Sequence, residues 1–594
     1  MKKRAADIII ETLVERGITE CFAVVGGGAM HLDNALGLND KIHKIFNHHE
    51  QACAMAADAY ARIADKPAAV CVTSGPGATN AVTGVMGAWV DSVPMIVLSG
   101  QVRYAISVKQ SGLPLRYRGI QEFDIVPSVQ NMTKYAVMIS DPLAVRREVN
   151  KAIDIATSGR RGPVWLDIPL DTQGAIVETD NLYPNEPQPI EPEATAEQAD
   201  QVINLLRNAK RPVILVGCGV ESGGVLERFR SFAKASRMPI VAASMASDIL
   251  PVSYEKFYGT CGVDGPRPGN FIIQNADVIL ALGTSLGFVT TGFDQAGFAP
   301  NAHIISVDVD ENEMRKPGLR IGTFVHSSLK AFFDKITDEE FSVDVKWLDY
   351  CAALKKRFSP FDPADNISMN DRVCAYWFWK KFEETAPADT VCALGNNTAN
   401  SSKFQAGTFY ESQRIVANRN CGSMGYDLPA AIGAAAAGCR VVCLTGDGSI
   451  MMNLQELQTI KHYDLPIKLV VFENDGYNAI RLTSENFFDG FLVGCNAESG
   501  VSFPSFKEIA GLFGMTYRCC NTNAEVAECL DLLFNSDEHI LLEVKQQLHD
   551  PMLPKLMSRK HDDGSITSPA LQDMYPFLSE EEMDRWMSIG QENI

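Results

Sequence analysis

Short apolar runs alternate with amphipathic stretches along most of this chain. "ADIIIETLVERG", from Ala6, spaces its apolar residues as a helix does. "CFAVVGGG", from Cys21, is a strand running into a glycine turn, and "KIFNHH", from Lys44, is a further strand. "EQACAMAADAYARIAD", from Glu50, sets Ala52, Met55, Ala56, Ala59, Tyr60 and Ile63 on one helical stripe. "AAVCVTSGPG", from Ala68, and "PMIVLSGQ", from Pro94, are two more strands that end in loops. Alternation of this kind predicts an α/β fold built on mostly parallel sheets with helices on both faces.

Polar stretches interrupt the rhythm. "NLYPNEPQPIEPEATAE", from Asn181, is rich in proline and acid and reads as an exposed linker. A second α/β unit follows, with strand-to-glycine turns in "RPVILVGCGVESGG" and "ADVILALGTSLG" and a strand ending in acids in "AHIISVDVDENE". "KKRFSPFDPADNISMND", from Lys355, separates a third unit, and from about Asp550 the chain turns polar. The expected domains are residues 1–178, 190–340 and 365–548, with a polar tail at 549–594 that has little core of its own. The three units share an α/β rhythm, but no repeat is visible residue by residue.

Composition narrows the class. A chain of 594 residues exceeds a single core, so about two to four domains are expected. Hydrophobic residues at 46% and charged residues at 21% fit a globular protein. A net charge of −20 argues against nucleic acid and anionic membrane surfaces as partners. Glu11 and Glu15 interrupt the apolar residues after the basic start, so no signal peptide is read there. The chain has no uninterrupted apolar run of the ~18 residues that a spanning helix needs. Its 15 cysteines are scattered without zinc-like spacing and read as reduced core thiols of a cytoplasmic protein.

The chemistry concentrates in "VVCLTGDGSIMMNLQELQTIKHYDLPIKLVVFENDGYNAI", from Val441. An apolar strand turns on Gly446-Asp447-Gly448-Ser449, a helix follows, and a second apolar strand ends at Asn474. In open parallel sheets, ligands bind beyond the carboxyl ends of strands. Free N–H groups at a strand-to-helix turn favour an anion, and glycines let it approach. An aspartate in such a place suits a cation that bridges to the anion. Asp447, the Asn474 side chain and a backbone carbonyl near Gly476 offer three oxygens, and a diphosphate and water complete the six that Mg2+ prefers. The plain alternative is an ordinary strand-turn-helix loop.

"GDGS" followed at this interval by "ENDG" resembles the thiamine diphosphate motif. "HHEQACAMAADAYAR", "TSGPGATNAVTGVMGAW", "GRRGPVWLDIPLD" and "SMGYDLPAAIGAAAAG" are similar to the acetolactate synthase branch of the thiamine diphosphate-dependent enzymes. The resemblance runs from about residue 3 to 545. It implies pyrimidine-binding, central and diphosphate-binding domains, and a homodimer or homotetramer with each cofactor held between subunits. It also implies roles for single residues. Glu50 matches the glutamate that activates the cofactor through its aminopyrimidine ring; the plain alternative is a helix N-terminal glutamate held by the helix dipole. Met424 matches the apolar wedge that bends the cofactor, with the Gly422 carbonyl holding the aminopyrimidine; otherwise it is a core methionine. Gln121, in "RGIQEFD", matches a glutamine that faces the substrate, and Gly28 occupies a glycine loop that offers a backbone N–H there. His31 is a candidate proton relay, and one of His48 and His49 is expected near the cofactor. Asn396 and Asn397, in "ALGNNTANSS", stand where the family grips the diphosphate.

The chain also departs from that branch. After "ADVILALG" the synthases carry an arginine and paired aspartates that help hold flavin, whereas this chain has "TSLGFVTTGF". The expectation is a chain without flavin, with FAD kept as the alternative. No tryptophan aligns with the one at the synthases' active-site mouth, since Trp586 lies far out in the tail. "GVSFPSF" and "SPALQDMYPFL" resemble relatives from nucleotide-sugar pathways. The expected activity is a decarboxylating carboligase, moving a two-carbon unit from a 2-oxo acid, with pyruvate the expected donor, to a second 2-oxo acid or a keto sugar nucleotide. The alternatives are a simple decarboxylase and an inactive cofactor-binding paralogue.

Overall fold

Strands covered by helices on both faces need apolar residues on both, and inner strands such as Ala68–Val72 and Val278–Leu282 are short and wholly apolar for that reason. The computed structural model describes residues 1–336, 339–358, 367–406, 413–550, 552–560 and 563–590. Residues 359–366 of the polar separator, with the expected boundary at 365, lie outside the described residues, as do 561–562 and 591–594 of the tail.

The first strands are β1 (Lys2–Arg4), β2 (Glu20–Ala23), β3 (His43–Phe46), β4 (Ala68–Val72), β5 (Met95–Gln101), β6 (Tyr135–Met138), β7 (Pro163–Pro169) and β8 (Ile176–Glu178). β2 to β7 form a parallel sheet in the order β3-β2-β4-β5-β7-β6, and β1 pairs antiparallel with β8. The second sheet takes β9 (Pro212–Val216), β10 (Ile240–Ala242), β11 (Phe257–Thr260), β12 (Val278–Leu282), β13 (His303–Asp308) and β14 (Ile321–His326). These are all parallel, in the order β11-β10-β9-β12-β13-β14. The third sheet takes β15 (Thr390–Leu394), β16 (Arg414–Val416), β17 (Arg440–Gly446), β18 (Ile467–Glu473), β19 (Thr516–Cys520) and β20 (Ile540–Lys545). It too is parallel, in the order β16-β15-β17-β18-β20-β19. Counted from its own first strand, each outer sheet therefore runs 2-1-3-4-6-5, while the central one runs 3-2-1-4-5-6. The repeat invisible in the residues is present in the topology.

The two outer units share one core. The helix Glu50–Ala64 buries Cys53, Ala54, Ala57 and Asp58 as well as its expected stripe, of which Ile63 is only partly buried. The reason is that two helices pack on it, Asp427–Ala436 and Pro76–Val90, the second bringing Gly84 against Ala54. Small residues permit that approach: a Cβ at Gly433 would lie 2.0 Å from the Ala56 carbonyl oxygen. Ala56, Tyr60, Val85, Leu428, Ile432 and Val441 belong to the same apolar cluster.

Apolar residues of the tail join the core of the central unit. Leu556, Leu571, Met574 and Trp586 are buried with Phe271, Trp347 and Tyr350. Asn270 Nδ2 donates to the Leu571 carbonyl at 2.9 Å, and the Tyr350 hydroxyl to that of Trp586 at 2.6 Å. Among the described residues no helix is long and apolar enough to cross a membrane.

Candidate active site

β17 and β18 are neighbours in register, with Gly446 opposite Phe472. The residues that follow them, Asp447 and Asn474, therefore meet at one sheet edge. Asp447 is buried, and its carboxylate accepts three backbone N–H bonds: Gly448 at 2.7 Å, Asn474 at 3.2 Å and Gly476 at 3.0 Å. Burial pushes this carboxyl up to about 6, against those three donors. The Asn474 amide is oriented by its own donor group: Nδ2 donates to Gln546 Oε1 at 3.0 Å, and Oδ1 is buried without a partner. A buried oxygen without a donor is costly, and a cation bound there would satisfy it. Among the described residues no cluster of three His, Cys, Asp or Glu side chains is placed to hold a metal. One carboxylate plus neutral oxygens instead fits Mg2+ that shares the phosphates of a ligand.

The residues around this pair fit a diphosphate. Gly446 precedes the short helix Asp447–Ile450. A Cβ at Gly448 would lie 2.1 Å from the Tyr477 ring and 3.4 Å from the Met424 methyl, which puts Met424 at the turn. Asn397 Oδ1 caps the next helix through the Asn400 N–H at 2.9 Å, leaving its buried Nδ2 without a partner. Asn396 Nδ2 donates to the Gly422 carbonyl at 2.6 Å, so one lone pair of that carbonyl is already engaged. The Ser449 hydroxyl donates to Asp427 at 2.5 Å and accepts the Gly425 N–H at 2.9 Å, so it ties the turn to the Met424 loop. The Gly476 carbonyl accepts the Asn478 N–H at 3.0 Å.

A second cluster lies at the carboxyl ends of β2, β3 and β4. Glu50 opens its helix, but the cap is His49, whose Nδ1 accepts the Gln51 N–H at 3.0 Å. Glu50 is half-buried, with Oε2 accepting from Asn80 Nδ2 at 2.9 Å. Gln121 holds a left-handed φ of 60°. A Cβ at Gly75 would lie 2.5 Å from the Gln121 carbonyl oxygen, so these loops touch. His48 is exposed, and its backbone N–H donates to Glu456.

Two expectations differ from the structure. The Gly28 N–H, expected to face substrate, donates to Thr73 Oγ1 at 3.0 Å, and its carbonyl accepts from Gln173 Nε2 at 2.8 Å. His31, expected as a proton relay, packs its ring on Gly174, with Arg4 and Asp7 as its charged neighbours. Desolvation and then Arg4 lower its pKa. Three residues were not anticipated. Gln546 follows β20 beside β18 and follows the same strand-end rule as Asn474. Arg481 clamps the loop by donating to the Asn474 carbonyl at 3.0 Å and the Asp475 carbonyl at 2.9 Å. The Thr398 hydroxyl accepts from Asn478 Nδ2 at 3.2 Å. No hydrogen bond among the described residues joins Glu50, Gly28 or Gln121 to Asp447, Asn474 or Asn396. Their neighbours are bridged, by Asn453 Nδ2 to Gln51 Oε1 at 3.1 Å and by the His48 N–H to Glu456 at 3.0 Å.

The expectation of a chain without flavin bears on the central unit. Its strand order reverses between β9 and β12, where such sheets open a ligand crevice. Here the two following loops close on each other: the Gly219 N–H donates to the Gly283 carbonyl at 3.0 Å. A cavity of about 300 Å³ lies beside them. Its Arg160 is already paired with Asp310 at 3.2 Å and Glu313 at 2.6 Å.

Comparison with known proteins agrees with this geometry. Residues 3–126 match the thiamine pyrophosphate enzyme N-terminal TPP binding domain, 199–332 the central domain, and 394–544 the C-terminal TPP binding domain. The chain is similar to the acetolactate synthase isozyme 2 large subunit of Escherichia coli, with 31% identity over 546 residues, 91% of this chain and 95% of that one. It is similar to a probable chloroplastic acetolactate synthase 2 of Oryza sativa, with 30% identity over 578 residues, 94% of this chain and 85% of that one. The acetolactate synthase large subunit of Lactococcus lactis is 28% identical over 581 residues, 94% of this chain and 96% of that one. The chain thus belongs to the thiamine pyrophosphate enzymes, as a thiamine diphosphate-dependent enzyme of the acetolactate synthase-like branch.

Proposed function

We propose that this enzyme is a decarboxylating carboligase that takes a two-carbon unit from pyruvate and joins it to the carbonyl of a second 2-oxo acid. One observation carries the reading: the buried, undonated Asn474 Oδ1 beside Asp447, in a chain whose relatives are named acetolactate synthases. Those names give no support to a keto sugar nucleotide acceptor, which is left out of the proposal.

Mg2+ would take Asp447, Asn474 and the second lone pair of the Gly476 carbonyl. The diphosphate would lie against Gly446, Gly448, Ser449, Asn396 and Asn397. Gly422 and Met424 would hold the aminopyrimidine end. Bound thiamine diphosphate supplies a carbon nucleophile and a sink for the electron pair left by departing carbon dioxide. Glu50 Oε1, the oxygen not engaged by Asn80, would hold or release a proton at the cofactor's ring nitrogen. Gln121, a neutral amide, would orient the substrate carboxylate without acting as a base.

The reading includes a homodimer or homotetramer, since the Glu50 and Asp447 clusters stand at separate sheet ends of one chain. Exposed apolar side chains near both, Leu113, Leu115 and Ile120 on one and Ile480, Phe487 and Phe491 on the other, support burial against another copy. A cytoplasmic setting suits the fifteen free cysteines.

The test is pyruvate consumption with added thiamine diphosphate and Mg2+, with products identified by mass spectrometry. Acetolactate is the expected product. Acetaldehyde alone, or no consumption, overturns the proposal.

A further inference from the structure

We propose that Arg62 is a positioning residue that holds the cofactor-wedging segment around Met424 in place through two carboxylates. The inference rests on the roles given above to Gly422 and Met424.

The segment from Cys421 to Gly425 belongs to no helix or strand, and two of its glycines have positive φ, 62° at Gly422 and 80° at Gly425. Its shape must come from ties. Four come from its own domain: Asn396 to Gly422, Asn418 to Ser423, and Ser449 and Asn453 to the N–H and carbonyl of Gly425. The residues that flank it on either side are tied to the first domain. At one end Asn420 Nδ2 donates to Asp91 Oδ1 at 2.6 Å. At the other the Tyr426 hydroxyl donates to Asp58 Oδ2 at 2.5 Å.

One guanidinium holds both acceptors. Arg62 Nε and Nη2 donate to the two oxygens of Asp58 at 2.9 and 3.1 Å, and Nη2 also donates to Asp91 Oδ2 at 2.8 Å. Asp58 and Tyr426 are buried, and the Arg62 side chain is only 15% exposed. Buried carboxylates need such a partner, and the planar fork of arginine holds one of them through two bonds and the second in a fixed direction, which a point-like ammonium does not. Asp58 and Arg62 lie one turn apart on the helix that Glu50 opens. The geometry thus joins the helix of the proposed proton-handling glutamate to both ends of the proposed wedge.

A purely structural bridge between domains would show the same bonds, so the test must read the cofactor. Tyr426→Phe and Asn420→Ala each remove one end tie and leave the Arg62 pairs intact, so both variants should fold. Arg62→Lys should act on both ends together. With Mg2+ saturating, Tyr426→Phe and Asn420→Ala should each weaken thiamine diphosphate binding about 10-fold or slow thiazolium-proton exchange of the bound cofactor to a similar degree, the scale of a modest misplacement at a reacting centre. Their melting temperatures should stay close to that of the wild type. Binding and exchange within twofold of wild type in both variants would overturn the proposal, whatever happens to stability. The wild-type protein is the control for the underlying reading: if it fails to bind thiamine diphosphate, that reading falls first and this inference with it.

Discussion

The backbone N–H of Asn474 donates to Asp447 Oδ2 at 3.2 Å, while the buried side-chain oxygen of the same asparagine receives no donor. Adjacent strand ends thereby present one carboxylate and one free amide oxygen to a single point. Asp447→Ala removes the only charge in that set and leaves a diphosphate uncompensated. The variant should lose thiamine diphosphate on gel filtration in Mg2+. Retention at wild-type occupancy would show that the pair does not hold the metal.

Gln546 tests the same point from behind. Its Oε1 accepts from Asn474 Nδ2 at 3.0 Å, which fixes the side of the amide left for the cation. Losses of partners that orient a metal's ligands typically cost about 10–100-fold in metal affinity. Gln546→Leu should weaken Mg2+ by about that factor, measured by titrating Mg2+ against cofactor binding. An unchanged titration would remove Gln546 from the site.

Asp167 sets a pH dependence. It is buried, accepts from Ser99 Oγ at 2.7 Å and Gln101 Nε2 at 3.1 Å, and burial pushes its carboxyl up to about 7. The folded protein therefore holds this proton more tightly than the unfolded chain, whose aspartates titrate near about 4. The stability so gained is present below about pH 4 and lost as pH rises to about 7, a change of at most about 4 kcal/mol. Asp167→Asn carries no such proton. Between pH 5 and 8 its urea-unfolding free energy should fall less steeply than that of the wild type, and parallel curves would refute the assignment.

Flavin gives a visible test. With Arg160 committed to Asp310 and Glu313, and the loops after β9 and β12 bonded to each other, purified protein should be colourless. A yellow preparation with stoichiometric FAD would contradict this and require the central cleft to rearrange.

Much of the fold was legible because parallel sheets leave a strong trace: apolar runs ending at glycines, separated by helical spacing. The same logic placed Asp447 and Asn474 at adjacent strand ends. Packing between domains was less legible. The helix Glu50–Ala64 showed one apolar stripe, yet it is buried on both sides, because alanine carries little signal for the second face, where Ala54 meets Gly84. Gln546 lies 72 residues beyond Asn474, so no local pattern joins them. Gly28 and His31 show a related limit. A residue's type suggests what it can offer, but Thr73, Gln173 and Gly174, distant in sequence, decide whether the offer is already taken.

Exchange of the thiazolium proton with deuterium, followed before any substrate is added, isolates activation of the cofactor from donor and acceptor chemistry. His49, not Glu50, caps the helix, so Glu50 is free for that task. Glu50→Gln keeps the shape of the side chain and should keep the fold and the bound cofactor. Exchange should fall by about 10²-fold or more, the scale of a positioned acid–base group. A role limited to the helix dipole would instead cost about 0.3–1 kcal/mol of stability and leave exchange unchanged. Unchanged exchange in Glu50→Gln, with thiamine diphosphate bound, would contradict the role of Glu50.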